Sequence, residues 1–155
     1  MHSFPKNATS QSINYLKRYF SNSSPHLHVQ FMTRCNVVDN SELAKEAKLA
    51  GKMAKCIHVY NHKTGLASPG DRILVALMGQ KRKAIVVGTK VKQRPMHPRF
   101  DAINIVLVDD KDVPLGNKVT GPIPGYTLRR NTAKRGDIRG RADCTKLLSI
   151  AQTII

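Results

Sequence analysis

The sequence predicts an all-β fold: a small barrel of five short strands with a short helical insertion and a helical C-terminus. Three observations lead there. From about residue 31 the apolar residues recur with a period of two, turn-forming residues punctuate the chain at short intervals, and no long helix is available to cover an open sheet. Strands that cannot be covered must close on themselves. A chain of 155 residues holds one domain of the usual ~100–150 residues and little more.

In chain order the predicted strands are 31–38, 53–60, 71–78, 84–92 and 102–109, each rich in Val, Ile or Leu. The breakers are Lys63 to Gly65, Ser68 to Gly70, Gly79 with Gln80, Pro95 to Pro98, and Asp109 to Pro114. SELAKEAKLAG, between the first two strands, has Ser41 to cap a helix and Gly51 to stop it, so it reads as an exposed helical insertion. TKLLSIAQTI, at the end, reads as a short helix packing Leu147, Leu148 and Ile150 on the barrel rim.

The first acidic residue is Asp39, and the residues before it include Lys6, Lys17, Arg18 and Arg34 with many Ser and Asn. That composition is typical of an organelle transit peptide. Ile13, Leu16 and Phe20 share one helical face with Lys17 and Arg18 turned aside. The apolar run of a secretory signal is missing, which favours import into the mitochondrial matrix, with cleavage near Ser21. The expected organisation is a transit peptide and disordered N-terminus over 1–30 and the barrel domain over 31–155. A merely disordered basic tail is the competing reading of the first 30 residues.

Twenty-six Lys and Arg against ten Asp and Glu give a net charge of +16, beyond what solubility requires. The expected partner is a polyanion. No segment approaches the ~18 apolar residues of a membrane span.

The charge concentrates in GQKRKAIVVGTKVKQRP, Gly79 to Pro95. Strand period places Ile85, Val87, Thr89 and Val91 on one face, expected to enter the core. It places Lys90, Lys92 and Arg94 on the other, successive cations about 6.6 Å apart. Lys81, Arg82 and Lys83 fall in the preceding turn, and Arg72 and Arg99 extend the set to eight cations with no carboxylate between Arg72 and Phe100. Cations on a rigid scaffold suit a nucleic-acid backbone. A nuclear-import signal would rest on Lys81 to Lys83 alone, and a solvated charged face is the plain alternative. A second cluster, Arg129, Arg130, Lys134, Arg135, Arg139 and Arg141, surrounds only Asp137 and reads as an irregular segment that orders on binding. After the presequence only Phe31, Tyr60, Phe100 and Tyr126 are aromatic, too few for a stacking platform; phosphate and ribose contacts to folded RNA fit better.

Other chemistry is poorly supported. Cys35, Cys56 and Cys144 are an odd number at wide spacings, expected as buried or idle thiols in a reducing compartment. Cys56, His58 and His62 lack a fourth ligand for zinc, although Cys56 and His58 would share one strand face. Asp109, Asp110 and Asp112 form an acidic turn without the glycine and terminal glutamate of a calcium loop. No nucleophile elbow, phosphate loop or dinucleotide glycine pattern occurs, so neither an enzyme nor a cofactor is expected.

VVDNS at 37–41, CIHVY at 56–60, PGDRILV at 69–75, KAIVVGTK at 83–90, RFDAINIVLVDD at 99–110, PLGNKVTGPIP at 114–124 and LLSIAQ at 147–152 stand in order along residues 32–155. Together they resemble the fourteenth protein of the large ribosomal subunit, in its mitochondrial form. The resemblance implies a five-stranded β-barrel with small C-terminal helices and a structural role bound to large-subunit rRNA. Implied partners are a neighbouring large-subunit protein, the small subunit across the intersubunit face, and a ribosome-silencing factor. The motif carries the factor's docking surface onto Asn117, Lys118 and Lys146. Where the family often has Thr then Arg, this chain has Asn117 and Lys118, which keeps the charge without the forked donor. A free-standing mitochondrial RNA-binding regulator is the alternative reading.

Overall fold

The computed structural model describes residues 27–61, 64–91, 99–133 and 140–155. Strands β1 (Arg34–Val37), β2 (Ala54–Val59), β3 (Arg72–Leu77), β4 (Gln80–Gly88) and β5 (Asn104–Val108) close into a barrel in sequence order. Successive strands are antiparallel, and β1 closes the barrel against β5 in parallel. Closure leaves this sheet without an edge. All five strands lie within or beside their predicted spans. The first is shortest, because Gln30 to Thr33 form a turn in which the Gln30 amide donates to Thr33 Oγ1. The expected transit peptide lies almost entirely outside the described residues. Val29, just before the predicted domain start, is fully buried and bridges Ala67.

The β3–β4 connection is the two-residue turn Met78–Gly79, with φ of 50° and 80°. Two successive positive φ values match the twist of the strands they join, which is why Gly79 stands there. Strand β4 therefore begins at Gln80, and Lys81, Arg82 and Lys83 lie on it rather than in the turn.

Two hydrophobic cores share the barrel wall. The interior one contains Cys35, Cys56, Ile73, Val75, Ala84 and Val86 among others. The outer one packs Val38, Ile85, Val87 and Val106 under a C-terminal unit. That unit comprises β6 (Val119–Ile123), helix α2 (Gly125–Ala133), helix α3 (Thr145–Ser149) and β7 (Ala151–Ile154), with β6 and β7 paired in parallel. Between β1 and β2 the insertion forms helix α1 (Glu42–Leu49).

This arrangement corrects the expected sidedness of β4. Ala84 and Val86 enter the barrel, whereas Ile85 and Val87 point outward and are buried by the C-terminal unit. With both faces apolar from Ala84 to Gly88, alternation in the sequence no longer marks the inside. The strand also ends at Gly88, so Lys90 follows it in coil rather than standing on its outer face; Lys92 and Arg94, the rest of the expected row, lie outside the described residues. Gly88 sits at a register shift, and a Cβ there would come 3.0 Å from the Phe100 ring. Phe100 thereby packs over the backbone where the strand stops.

Helix α1 is capped as expected, Ser41 Oγ accepting from the Ala44 amide at 3.3 Å, and Gly51 follows it with φ of 64°. It is not simply exposed: Ala44 and Ala47 are buried in the interior core and Leu43 packs against it. Two further differences lie in the C-terminal unit. Leu128 to Ala133, expected to be irregular, is helical within α2, and TKLLSIAQTI is a single helical turn followed by a strand. Leu147 is fully buried, as the amphipathic reading required.

Candidate nucleic-acid interface

Where the C-terminal unit stops, the outer wall of the barrel is largely open among the described residues. Odd-numbered residues of β4 face outward, so Lys81 and Lys83 stand on this wall, beside the covered Ile85. The register aligns Lys55, Ala76 and Lys81 in one row across β2, β3 and β4, and His58, Leu74, Lys83 and Val108 in the next, which reaches β5. Arg72, Ile85 and Val106 form a third row, and the Tyr60 amide donates to the Arg72 carbonyl. The register slips between Cys56 and His58. This bulge adds one residue, Ile57, and so puts Cys56 inside and His58 outside. Their expected common face is thus corrected. Among the described residues no three His, Cys, Asp or Glu side chains are grouped to hold a metal ion.

Ion pairing separates the arginines from the lysines. Arg72 pairs with Asp112, which is 2% exposed, has φ of 60° and also accepts from the Asp143 amide at 3.1 Å. Arg141 lies 3.9 Å from the buried Asp71. The chain around it is pinned to the barrel, the Arg72 amide donating to the Gly140 carbonyl and the Ala142 amide to that of Gly70. Burial pushes the Asp71 carboxyl upward, opposed by the Ser68 amide, Asn61 and Arg141. Two of the predicted RNA-binding arginines therefore hold the C-terminal segment in place. Lys83 pairs with Asp110 at 2.8 Å, and this hydrogen bond raises the lysine and lowers the carboxyl. Lys83 is half-buried and Asp110 open to solvent, so the pair adds little stability. Lys81 is exposed with no carboxylate partner among the described residues.

The remaining predicted cations gather at the end of the barrel beyond Gly88. Lys90 and Arg99 are exposed at the two ends of the β4–β5 connection. Arg129 and Arg130 are exposed on α2, whose Asn131 donates to the Pro69 carbonyl at the same end. Gly70, next to Pro69, bonds to Val86 on β4. Clusters about 30 to 40 residues apart in sequence are thus brought to one end by the packing of α2. Lys92, Arg94, Lys134, Arg135 and Arg139 lie outside the described residues, as does His62. Arg82 points the other way from its neighbours, toward a depression of about 530 Å³ bordered by Ser41, Glu42 and Asn117.

Asn117 and Lys118 are exposed before β6, and Lys146 is exposed on α3. The Val119 amide donates to the Ile150 carbonyl at 3.2 Å, which brings the start of β6 to the end of α3. Sequence reasoning passed over Lys55, weighed His58 only as a metal ligand and counted Tyr60 only among the aromatics. The bulge at Ile57 hid their common side from a period-two reading. Among the described residues no helix is long and apolar enough to cross a membrane.

Residues 28–135 match the family model for ribosomal protein L14p/L23e. The chain is also 42% identical over 139 residues to the large ribosomal subunit protein uL14m of Danio rerio, an alignment covering 90% of this chain and 89% of that one. A strongly basic barrel, matched along most of its length, agrees with both comparisons, and the chain belongs to the ribosomal protein L14p/L23e family.

Proposed function

We propose that the protein is a structural constituent of the mitochondrial large ribosomal subunit, bound to its rRNA. The observation that carries this reading is the 42% identity over 90% of the chain to a large-subunit protein of the mitochondrial kind. The charge of +16 and the acid-free first 38 residues support it, the latter as a matrix-targeting transit peptide. In this reading the exposed Lys81, Arg82, Lys90, Arg99, Arg129 and Arg130 and the half-buried Lys83 contact phosphates. Lys92, Arg94, Lys134, Arg135 and Arg139 join them, while Arg72 and Arg141 act by anchoring the C-terminal segment. The role is architectural, and no catalytic residue is assigned.

Asn117, Lys118 and Lys146 would receive a ribosome-silencing factor, supported by their exposure and by the contact between β6 and the end of α3. The free edge of β7, where Ile154 and Ile155 are 47% and 57% exposed, suits the neighbouring large-subunit protein. The remaining exposed face would meet the small subunit. Sucrose-gradient sedimentation of a mitochondrial lysate tests the proposal. The protein is expected to travel with the large subunit; a free pool alone would refute it and favour a free-standing RNA-binding regulator. A Lys146→Glu variant that still binds the silencing factor would remove that residue from the docking surface.

A further inference from the structure

The largely open outer wall of β2, β3 and β4 combines two features that phosphate binding alone does not need. One is an aromatic pair: the His58 and Tyr60 rings meet edge to face, centroids 5.2 Å apart and planes at 88°. The other is a depression of about 540 Å³ whose lining includes apolar Leu74, Val108 and Val113 and cationic Lys81, Lys83 and Lys111. Leu74 is directly opposite both His58 and Lys83, so pair and depression form one surface. Two strand spacings, about 9.6 Å, separate His58 from Lys83, room for one nucleoside between an aromatic side and a cationic side. Lys55 stands in the adjoining row with Lys81, exposed like it and without a carboxylate partner among the described residues.

We propose that this wall is a nucleotide-stacking surface for an RNA strand: one base lies against His58, Tyr60 and the Leu74 floor while Lys55, Lys81 and Lys83 hold the flanking phosphates. The inference rests on the ribosomal reading above and extends it from the first basic cluster across the wall to Lys55, His58 and Tyr60 on and beside β2. Stacking needs only a π-face and tolerates any base, and cations around it supply the phosphate attraction. Too few aromatics occur in the sequence for a conventional platform, but His58 and Tyr60 are two residues apart on one strand face, and the bulge at Ile57 turns both onto the outer side that Lys55 faces, which assembles a small one. On this side the depression is lined by three cations (Lys81, Lys83 and Lys111) and two carboxylates, Asp109 and Asp110. The net charge there is positive, and Lys55 adds to it. Asp110 is 87% exposed, so an incoming phosphate displaces it from Lys83 at little cost.

Lysine acylation footprinting on purified large subunits, compared with the free protein, tests the surface. Lys55 and Lys81 are expected to be protected in the subunit and to regain reactivity after ribonuclease digestion. Full reactivity in subunits that contain the protein would overturn this inference and leave the ribosomal reading standing. Protection that survives ribonuclease would assign the wall to a protein partner and overturn it equally. As a second measurement, Tyr60→Ala is expected to weaken binding of the protein to large-subunit rRNA by about tenfold while Tyr60→Phe keeps it. Unchanged affinity in a folded Tyr60→Ala protein would remove the stacking role.

Discussion

Arg72 and Lys81 look alike in the sequence, two cations in one acid-free stretch, yet the fold gives them different work. Arg72 meets the buried Asp112, forty residues away, and Lys81 meets solvent. Arg72→Met is expected to destabilise the protein by about 2–3 kcal/mol, since it removes the cation from a buried carboxylate that keeps its bond from the Asp143 amide, and that cation was itself partly solvated. Lys81→Glu should shift stability by less than ~0.5 kcal/mol and weaken RNA binding. Urea unfolding with an RNA filter assay separates the two. The cysteines make a second case. Burial, with Cys56 nearby, pushes the Cys35 thiol up to about 12, and burial pushes Cys144 to about 11, from an ordinary 9.0. Folded and unfolded chains both keep these protons below pH 9.0. Above it the unfolded chain loses them first, so stability should fall as pH rises toward the folded values. Urea midpoints across that range check the sign; an alkaline rise in stability would contradict it. That the cysteines are buried was legible from composition; which arginine finds a carboxylate was not, because the pairing is set by tertiary contacts.

At the scale of the element, legibility follows burial. β2 and β3 each have one face on the interior core and one largely open, and their period-two pattern located them. β5 is buried at every position, and β4 from Ala84 onward, so the sequence there is a continuous apolar run that marks a strand without naming its inside. The C-terminal unit was hardest to read, because β6 contains Gly121 and Pro122 and β7 is short and mostly exposed. The cap of α1 was plain from Ser41 and Gly51. Ser41→Ala should cost about 1 kcal/mol. Ile85→Ala, by opening the outer core under β6 and α2, should cost about 2–5 kcal/mol. A cost near zero at Ile85 in thermal or urea unfolding would mean that the C-terminal unit does not pack on the barrel.

For the whole molecule, the barrel class, the five strands and the basic character were all legible, and the resemblance supplied the ribosome. What the sequence could not show was the placement of charge in three dimensions. The barrel wall carries Lys81 and Lys83, its far end gathers Lys90, Arg99, Arg129 and Arg130, and the C-terminal unit covers much of the remaining wall. A charge reversal at Lys90 and Lys92 together is expected to reduce incorporation into the large subunit without lowering the barrel's unfolding midpoint; unchanged assembly would show that this connection faces solvent. The most direct measurement is ultraviolet crosslinking of purified mitochondrial large subunits, followed by mass spectrometry of the RNA-linked peptides. Nucleotide adducts are expected on the peptides containing Lys81 to Lys90, Arg99, and Arg129 with Arg130. Adducts on other subunit proteins but none on these segments would contradict the account.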